Sequence, residues 1–212
     1  MTDEPSARAE RLTAFEQVLL GRRTVRYYRP DPIPADLLAA SLAAAAHAPS
    51  PHHRAPWRLV VLTRREAKER LAMAMGEAWA DDLRGDGVAA ERIAALLAGS
   101  RARLVEAPAV VVLCTDEATL DRYPDARRQT AEQMMAAQSA GAALQNIMLA
   151  AQARGLASCW MCAPLFCPEV VTATLGIAPT LRPQALLTLG YPAQPPPPRS
   201  RLAPAELIVR WD

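Results

Sequence analysis

Apolar positions recur at helical spacing early in the chain. Residues 9–20 predict a first helix, with Leu12, Phe15, Val18, Leu19 and Leu20 roughly on one face. A proline-punctuated turn (Pro30, Pro32, Pro34) leads to a second predicted helix, Asp36–His47, carrying Leu37, Leu38 and Leu42. Ala48–Trp57 holds three prolines, which excludes regular helix. Arg58–Thr63 then reads as a short buried strand. Glu66–Leu83 and Ala89–Leu104 read as helices on either side of Gly85 and Gly87, and Ala109–Cys114 as a second buried strand. Residues 115–129 are polar and read as irregular.

Glu132–Arg154 is the longest predicted helix. It is apolar on more than one face, with small residues such as Ala136, Ala140 and Gly141 between Met135, Leu144 and Ile147. That pattern predicts burial at the centre of the fold or at a subunit contact. Gly155 ends it. Leu156–Cys162 is a third strand, Pro168–Leu175 a short helix and Ala185–Gly190 a fourth strand. Pro195–Pro198, followed by Arg199 and Arg201, suits an extended arm lying on another surface. Strands separated by helices predict a mixed sheet flanked by helices, in one domain over residues 1–212.

Composition narrows the class. The chain has 212 residues, 51% of them apolar and only 5% aromatic, which favours helix packing over an all-β sandwich. The net charge of +2 is nearly balanced, so nucleic acid is not an expected partner. Met1–Arg11 is polar and lacks the apolar core of a signal peptide, and no run is apolar enough to span a bilayer. A cytoplasmic protein without membrane partners is expected, with Cys114, Cys159, Cys162 and Cys167 reduced.

The basic surplus is local. Gly21–Arg29 places Arg22, Arg23, Arg26 and Arg29 within nine residues, with the Thr24 hydroxyl among them. Guanidiniums this close repel one another unless an anion lies between them, and their planar fork suits phosphate oxygens. The stretch reads either as a phosphate grip for a nucleotide-type cofactor or as a solvated basic turn. No GxGxxG, GxxxxGK[ST] or GxSxG occurs, so a phosphate site must come from side chains: Arg22, Arg23, Arg26 and Arg199.

The proline-bounded loop offers Ser50, His52, His53 and Arg54. Adjacent histidines without a nearby carboxylate argue against a metal, and none is expected. The loop suits hydrogen bonding to a flat ring; a tight connector with solvated histidines is the competing reading. Cys159 and Cys162 form CxxC at the end of a strand, where positions three apart face opposite ways. That disfavours both a disulfide and a shared zinc.

RRTVRYY, then APSPHHRAPW leading into a strand, then a long helix ending in G-L-x-S, together resemble the FMN-dependent nitroreductase family. The resemblance runs from about Ala14 to Arg210. It implies an α+β sandwich and an arm-swapped homodimer with FMN sites at the interface. His53 stands where the family's loop usually has Asn, and Ala55 where it has Gln. PHH, GLASCW and LFCPEVV are similar to the C-terminal reductase domain of the bifunctional coenzyme F420 γ-glutamyl ligases. The ligase half has no counterpart here, so ligation is not implied.

What that resemblance implies is an FMN enzyme of deazaflavin coenzyme biosynthesis. Hydride would pass from N5 of reduced FMN to an enol-pyruvyl-type double bond of the dehydro precursor. The alternatives are a broad NAD(P)H-dependent nitro or quinone reductase, and a flavin- or deazaflavin-binding protein without turnover. Position by position, Arg22, Arg23, Thr24, Val25 and Arg26 fall on the phosphate motif, and Arg199 on a tail arginine that reaches the same phosphate. Ser50, Pro51, His52 and His53 fall on the ring-side loop, and Cys162 on a ring contact that is glycine in the relative. Met135 falls near the deazaflavin substrate. His52 is the candidate proton donor, because imidazole titrates near neutrality.

Overall fold

Each apolar run between turn signals becomes a strand or a helix in the computed structural model, which describes residues 5–212. Met1 to Glu4, the start of the stretch read against a signal peptide, lie outside the described residues. Strands β1 (Trp57–Leu62), β2 (Ala109–Asp116), β3 (Ala157–Met161) and β4 (Leu181–Gly190) form one sheet in the order β1-β2-β4-β3.

Every pairing between these strands is antiparallel, so the sheet is not the mixed one expected. The connections explain the difference. β1 and β2 are joined by a helical hairpin, α3 (Arg65–Gly85) and α4 (Ala90–Val105), which returns the chain to the end it left. The single helix α5 (Ala126–Gln152) does make β2 and β3 run the same way, but β4 inserts between them in reverse.

The sheet carries apolar packing on both faces, because successive strand residues point to opposite sides. Ala109, Val111 and Leu113 of β2 pack with α5 and with Leu38 of α2 (Ala35–Ala43). Val110, Val112 and Cys114 pack with α3, α4 and Val171 of α6 (Pro168–Leu175). β2 is therefore apolar at consecutive positions, as a doubly covered strand must be.

Several boundaries moved, among them the start of α1, at Pro5 rather than residue 9, and two more have a visible cause. α5 begins six residues before the expected Glu132, because the Asp125 carboxylate accepts the Arg128 N–H at 2.9 Å and caps the helix there. β4 begins at Leu181 rather than Ala185; a register shift between Leu113 and Cys114 lets Pro183 into the strand beside a bulge.

Two helices of similar apolar content end up differently. α5 buries Ala136, Ala140, Ala143, Leu144, Ile147 and Met148 along one stripe. α1 (Pro5–Gly21) buries none of its residues, and Leu12, Phe15, Leu19 and Leu20 are exposed. The proline-rich tail is extended and exposed, and it adds only a short turn of helix, α7 (Pro204–Leu207).

Candidate functional site

The arginine segment leaves α1 and is sewn to the sheet through its backbone. The Val25 N–H donates to the Ser158 carbonyl of β3 at 3.0 Å, with Thr24 in a one-residue parallel bridge to Ser158. The Arg29 N–H donates to Tyr191 O at 2.9 Å, and the Ala193 N–H donates back to Tyr27 O at 3.1 Å. Tyr28 is the anchor. Its hydroxyl donates to Val25 O at 2.6 Å and lies 2.8 Å from Thr188 Oγ1, where either group can donate. Burial pushes its pKa above the usual phenol value, so the hydroxyl keeps its proton. Gly190 makes room: a Cβ there would fall 2.7 Å from Pro108 and 2.8 Å from the Tyr28 ring.

This sewing opens a cleft of about 680 Å³ between the segment and the tail. Arg22, Arg23, Thr24, Val25 and Arg26 line one side; Pro195–Pro197, Arg199 and Arg201 line the other. Early and late guanidiniums thus meet across a gap of more than 170 positions, and no carboxylate is among the lining residues. Arg201 donates to the Arg22 carbonyl at 3.4 Å, and Arg23 donates to the carbonyls of Leu20 and Arg22. Burial first, then repulsion from Arg201 and Arg23, lowers the pKa of Arg22. A cluster left mutually repulsive in this way is completed by an anion, so the residues fit a phosphate-bearing cofactor. Val25 lines the cleft, but its side chain is buried and its N–H is already used by Ser158. Arg29 points elsewhere: it pairs with Asp31 at 3.2 Å and lies over the Tyr191 ring.

The other expected site residues do not line this cleft. Cys162 lies in a second, mainly apolar cleft of about 560 Å³, bounded by Met75 and Trp79 of α3, Arg103 of α4 and Phe166. The Trp160 indole N–H donates to Cys162 Sγ at 3.2 Å, and the same ring rests against Gly141 of α5. Cys159 is buried while Cys162 is exposed. Burial raises the thiol pKa of Cys159 and of Cys167.

Pro51–His53 form a short 3-10 turn against α5, with Ser50 extended just before it. Both histidines are exposed and both have positive φ. Met135 is half-buried on α5, its carbonyl accepting the Ser139 hydroxyl at 2.8 Å. A single chain therefore presents three separate patches: the arginine cleft, the Cys162 cleft, and the histidine loop with α5.

The nitroreductase family pattern matches residues 19–191. The chain belongs to the nitroreductase family. As a member it is an oxidoreductase. It is similar to the NADH dehydrogenase of Thermus thermophilus, 33% identical over 91% of this chain and 93% of that one. Among solved structures it is similar to the FMN-dependent nitroreductase NfnB from Mycobacterium smegmatis in complex with NADPH. That likeness is 25% identity at TM-score 0.71, covering 95% and 99% of the two chains. A nitroreductase-like protein from Bacillus cereus shares the fold at TM-score 0.73 and 22% identity, covering 100% and 99%.

Two parts of the site escaped the sequence reading. Arg201 was noted only as a tail residue, although it repeats Arg199 two positions on in an extended segment and reaches the same cleft. Arg54, Asp121 and Glu132 form a network around the histidine loop. The available signal for it was Glu132, a lone carboxylate on the buried stripe of α5.

Proposed function

We propose that this chain is an FMN-dependent oxidoreductase that takes hydride from a reduced nicotinamide and delivers it to a small electron-poor acceptor. The observation that carries this reading is the arginine cleft: five guanidiniums, no carboxylate, and a volume suited to a nucleotide-sized ligand. Arg22, Arg23, Arg26 and Arg199 hold the FMN phosphate, with Arg201 beside them and the Thr24 hydroxyl as a further donor. FMN, when bound, supplies the two-electron chemistry. The protein holds and orients the reactants. Ser50, Pro51, His52 and His53 border the ring on one side, Cys162 touches it on another, and Met135 lies on the acceptor side. In this reading His52, which is exposed on its loop, passes a proton to the reduced acceptor.

A homodimer brings the patches together. The uncovered apolar side chains of α1, with Leu202, Leu207, Val209 and Trp211 of the tail, support a second copy exchanging arms with the first. Free thiols throughout support a reducing, cytoplasmic setting, and the described helices include none long and apolar enough to cross a membrane. A single domain over residues 1–212 suits one sheet packed on both faces.

A second reading names the acceptor: the dehydro precursor of the deazaflavin coenzyme F420, whose phosphodiester would answer guanidiniums the FMN phosphate leaves over. Pro51-His52-His53 together with GLASCW favours it. Anaerobic mixing of the FMN-reduced protein with nitroaromatics, quinones or the dehydro precursor, while following the flavin band, decides between the acceptors. A protein that stays colourless after soaking in excess FMN overturns both readings.

A further inference from the structure

Strain in this molecule is concentrated in one place. Among the described residues, the non-glycine residues with positive φ are His52 (55°), His53 (53°) and Ala55 (44°). L residues adopt this region rarely, and several together persist only where surrounding contacts over-determine them. Some of those contacts are local. Ser50 Oγ accepts the Ala55 N–H at 2.9 Å, and the N–H groups of His53 and Arg54 donate to the carbonyls of Ser50 and Pro51, each at 3.2 Å. They fold the loop on itself without tying it to anything else.

The tie is Arg54. Its Nη1 donates to the Thr119 carbonyl at 3.2 Å and to Asp121 Oδ1 at 2.7 Å. Asp121 is held in turn by α5. Its N–H donates to Glu132 Oε1 at 3.2 Å, and its carbonyl accepts from Gln129 Nε2 at 3.4 Å. Gln129 Oε1 also accepts the Tyr123 N–H at 3.0 Å. Glu132 is only 4% exposed, and its Oε2 has no hydrogen-bond partner among the described residues. A buried carboxylate with one open oxygen depends on the donor it does have, which is Asp121. Met135 follows one helical turn after Glu132, so the same stretch of α5 carries both the anchor and the acceptor-side residue.

We infer that Arg54 is a positioning residue: through Asp121, seated on Glu132 and Gln129, it holds the turn His52–Ala55, left-handed at His52, His53 and Ala55, in the shape that borders the flavin and its acceptor. The inference rests on the FMN reading for what the turn borders, and on the geometry alone for the clamp. Its role is orientation rather than global stability. Each side chain of the Arg54–Asp121 pair is 37% exposed, where ion pairs add little to the folding equilibrium. The two N–H groups of one planar guanidinium nitrogen, Nη1, point to two acceptors in fixed directions, which a freely rotating lysine ammonium does less well.

Hydrogen exchange on the full chain, with and without FMN, tests the clamp; visible circular dichroism of bound FMN tests what the loop borders. Arg54→Ala and Asp121→Ala are each expected to speed exchange across residues 50–56 by about tenfold while leaving residues 24–29 within about twofold. Both should alter the flavin dichroism. Arg54→Lys should resemble Arg54→Ala, whereas Asp121→Asn, which keeps an acceptor oxygen, should restore most of the protection. Loop exchange within about twofold of wild type in both alanine variants overturns the inference, as does equal opening of residues 24–29. Faster loop exchange with unchanged dichroism also overturns it, because the loop then does not border the ring. Should the wild type take up no FMN, the flavin reading fails, while exchange in the FMN-free protein still decides the clamp.

Discussion

The arginine cleft hangs on backbone hydrogen bonds to β3 and to the residues just after β4, whereas the histidine loop is tied through its own Arg54 side chain to the Thr119 carbonyl and the Asp121 carboxylate, 65 and 67 positions away. In the first region the chain is relaxed and the charge is concentrated, and the pKa of Arg22 is lowered by burial and then by its charged neighbours. In the second the charge is paired and the backbone is strained. A site that grips an anion needs unneutralised cations on a firm frame. A surface that borders a flat ring needs a fixed shape, and strain offset by distant contacts supplies one. The two regions should therefore fail differently.

The largest effect should come from the frame of the cleft. In Gly190→Ala the new methyl would sit 2.7 Å from Pro108 and 2.8 Å from Tyr28, and neither ring can swing aside. Overpacking of this kind costs up to about 3 kcal/mol, and it displaces the Tyr28 anchor of the arginine segment. Chemical denaturation should show the loss, and FMN binding should fall with it, while exchange in the histidine loop stays close to wild type. Next in size, Arg22→Ala should weaken FMN binding by roughly 1.5–3 kcal/mol, the scale of hydrogen bonds to a charged group. Fluorescence titration of FMN reads this directly. Full FMN retention with unchanged affinity would show that Arg22 is not part of the grip.

The same contrast explains what could be read from the sequence. Arg22, Arg23 and Arg26 were legible because their chemistry is local: four arginines in nine residues need an explanation whatever the fold. Arg199 came from the family resemblance, which puts a tail arginine at the same phosphate. Arg29 belongs to the same stretch but not to the expected grip, and it finds Asp31 and Tyr191 instead. The histidine loop was recognised as a loop, but its shape was not. His52, His53 and Ala55 have positive φ in a turn that Arg54 ties to Thr119 and Asp121, and pairing across 65 positions leaves no local trace. The strands were found from their apolar runs, while their antiparallel order depended on β4 inserting between β2 and β3, which no single stretch encodes.

A rise in pH should part the two regions more gently. Burial pushes the Cys114 thiol from its ordinary 9.0 up to about 11. The folded protein thus keeps that proton after the unfolded chain would release it. Stability is full below about pH 9 and is lost as pH climbs through about 11. The loss should be about 1–2 kcal/mol after allowance for partial solvent screening. Cys114 pairs with Arg58 at the start of β1, directly after the histidine loop, whereas the arginine segment hangs on the far side of the sheet. Exchange at residues 50–58 should therefore rise before that at 24–29. Cys114→Ala should flatten the pH dependence, whatever it does to stability at neutral pH.

The smallest global effect should belong to the contact with the largest local one. Arg54→Ala removes an ion pair that is 37% exposed on both sides, so the folding free energy should fall by less than about 1 kcal/mol. The loop nevertheless loses its only cross-links to the 119–121 segment among the hydrogen bonds of Arg54, and the strain at His52, His53 and Ala55 is then free to relax. Relaxation of that strain offsets part of the lost contact, which is a further reason for the global change to be small. Urea denaturation of Arg54→Ala should give a midpoint near that of the wild type. A drop of several kcal/mol would mean that the Arg54 network carries the fold in the way Gly190 and Tyr28 do, and the distinction between a rigid grip and a tensioned loop would collapse.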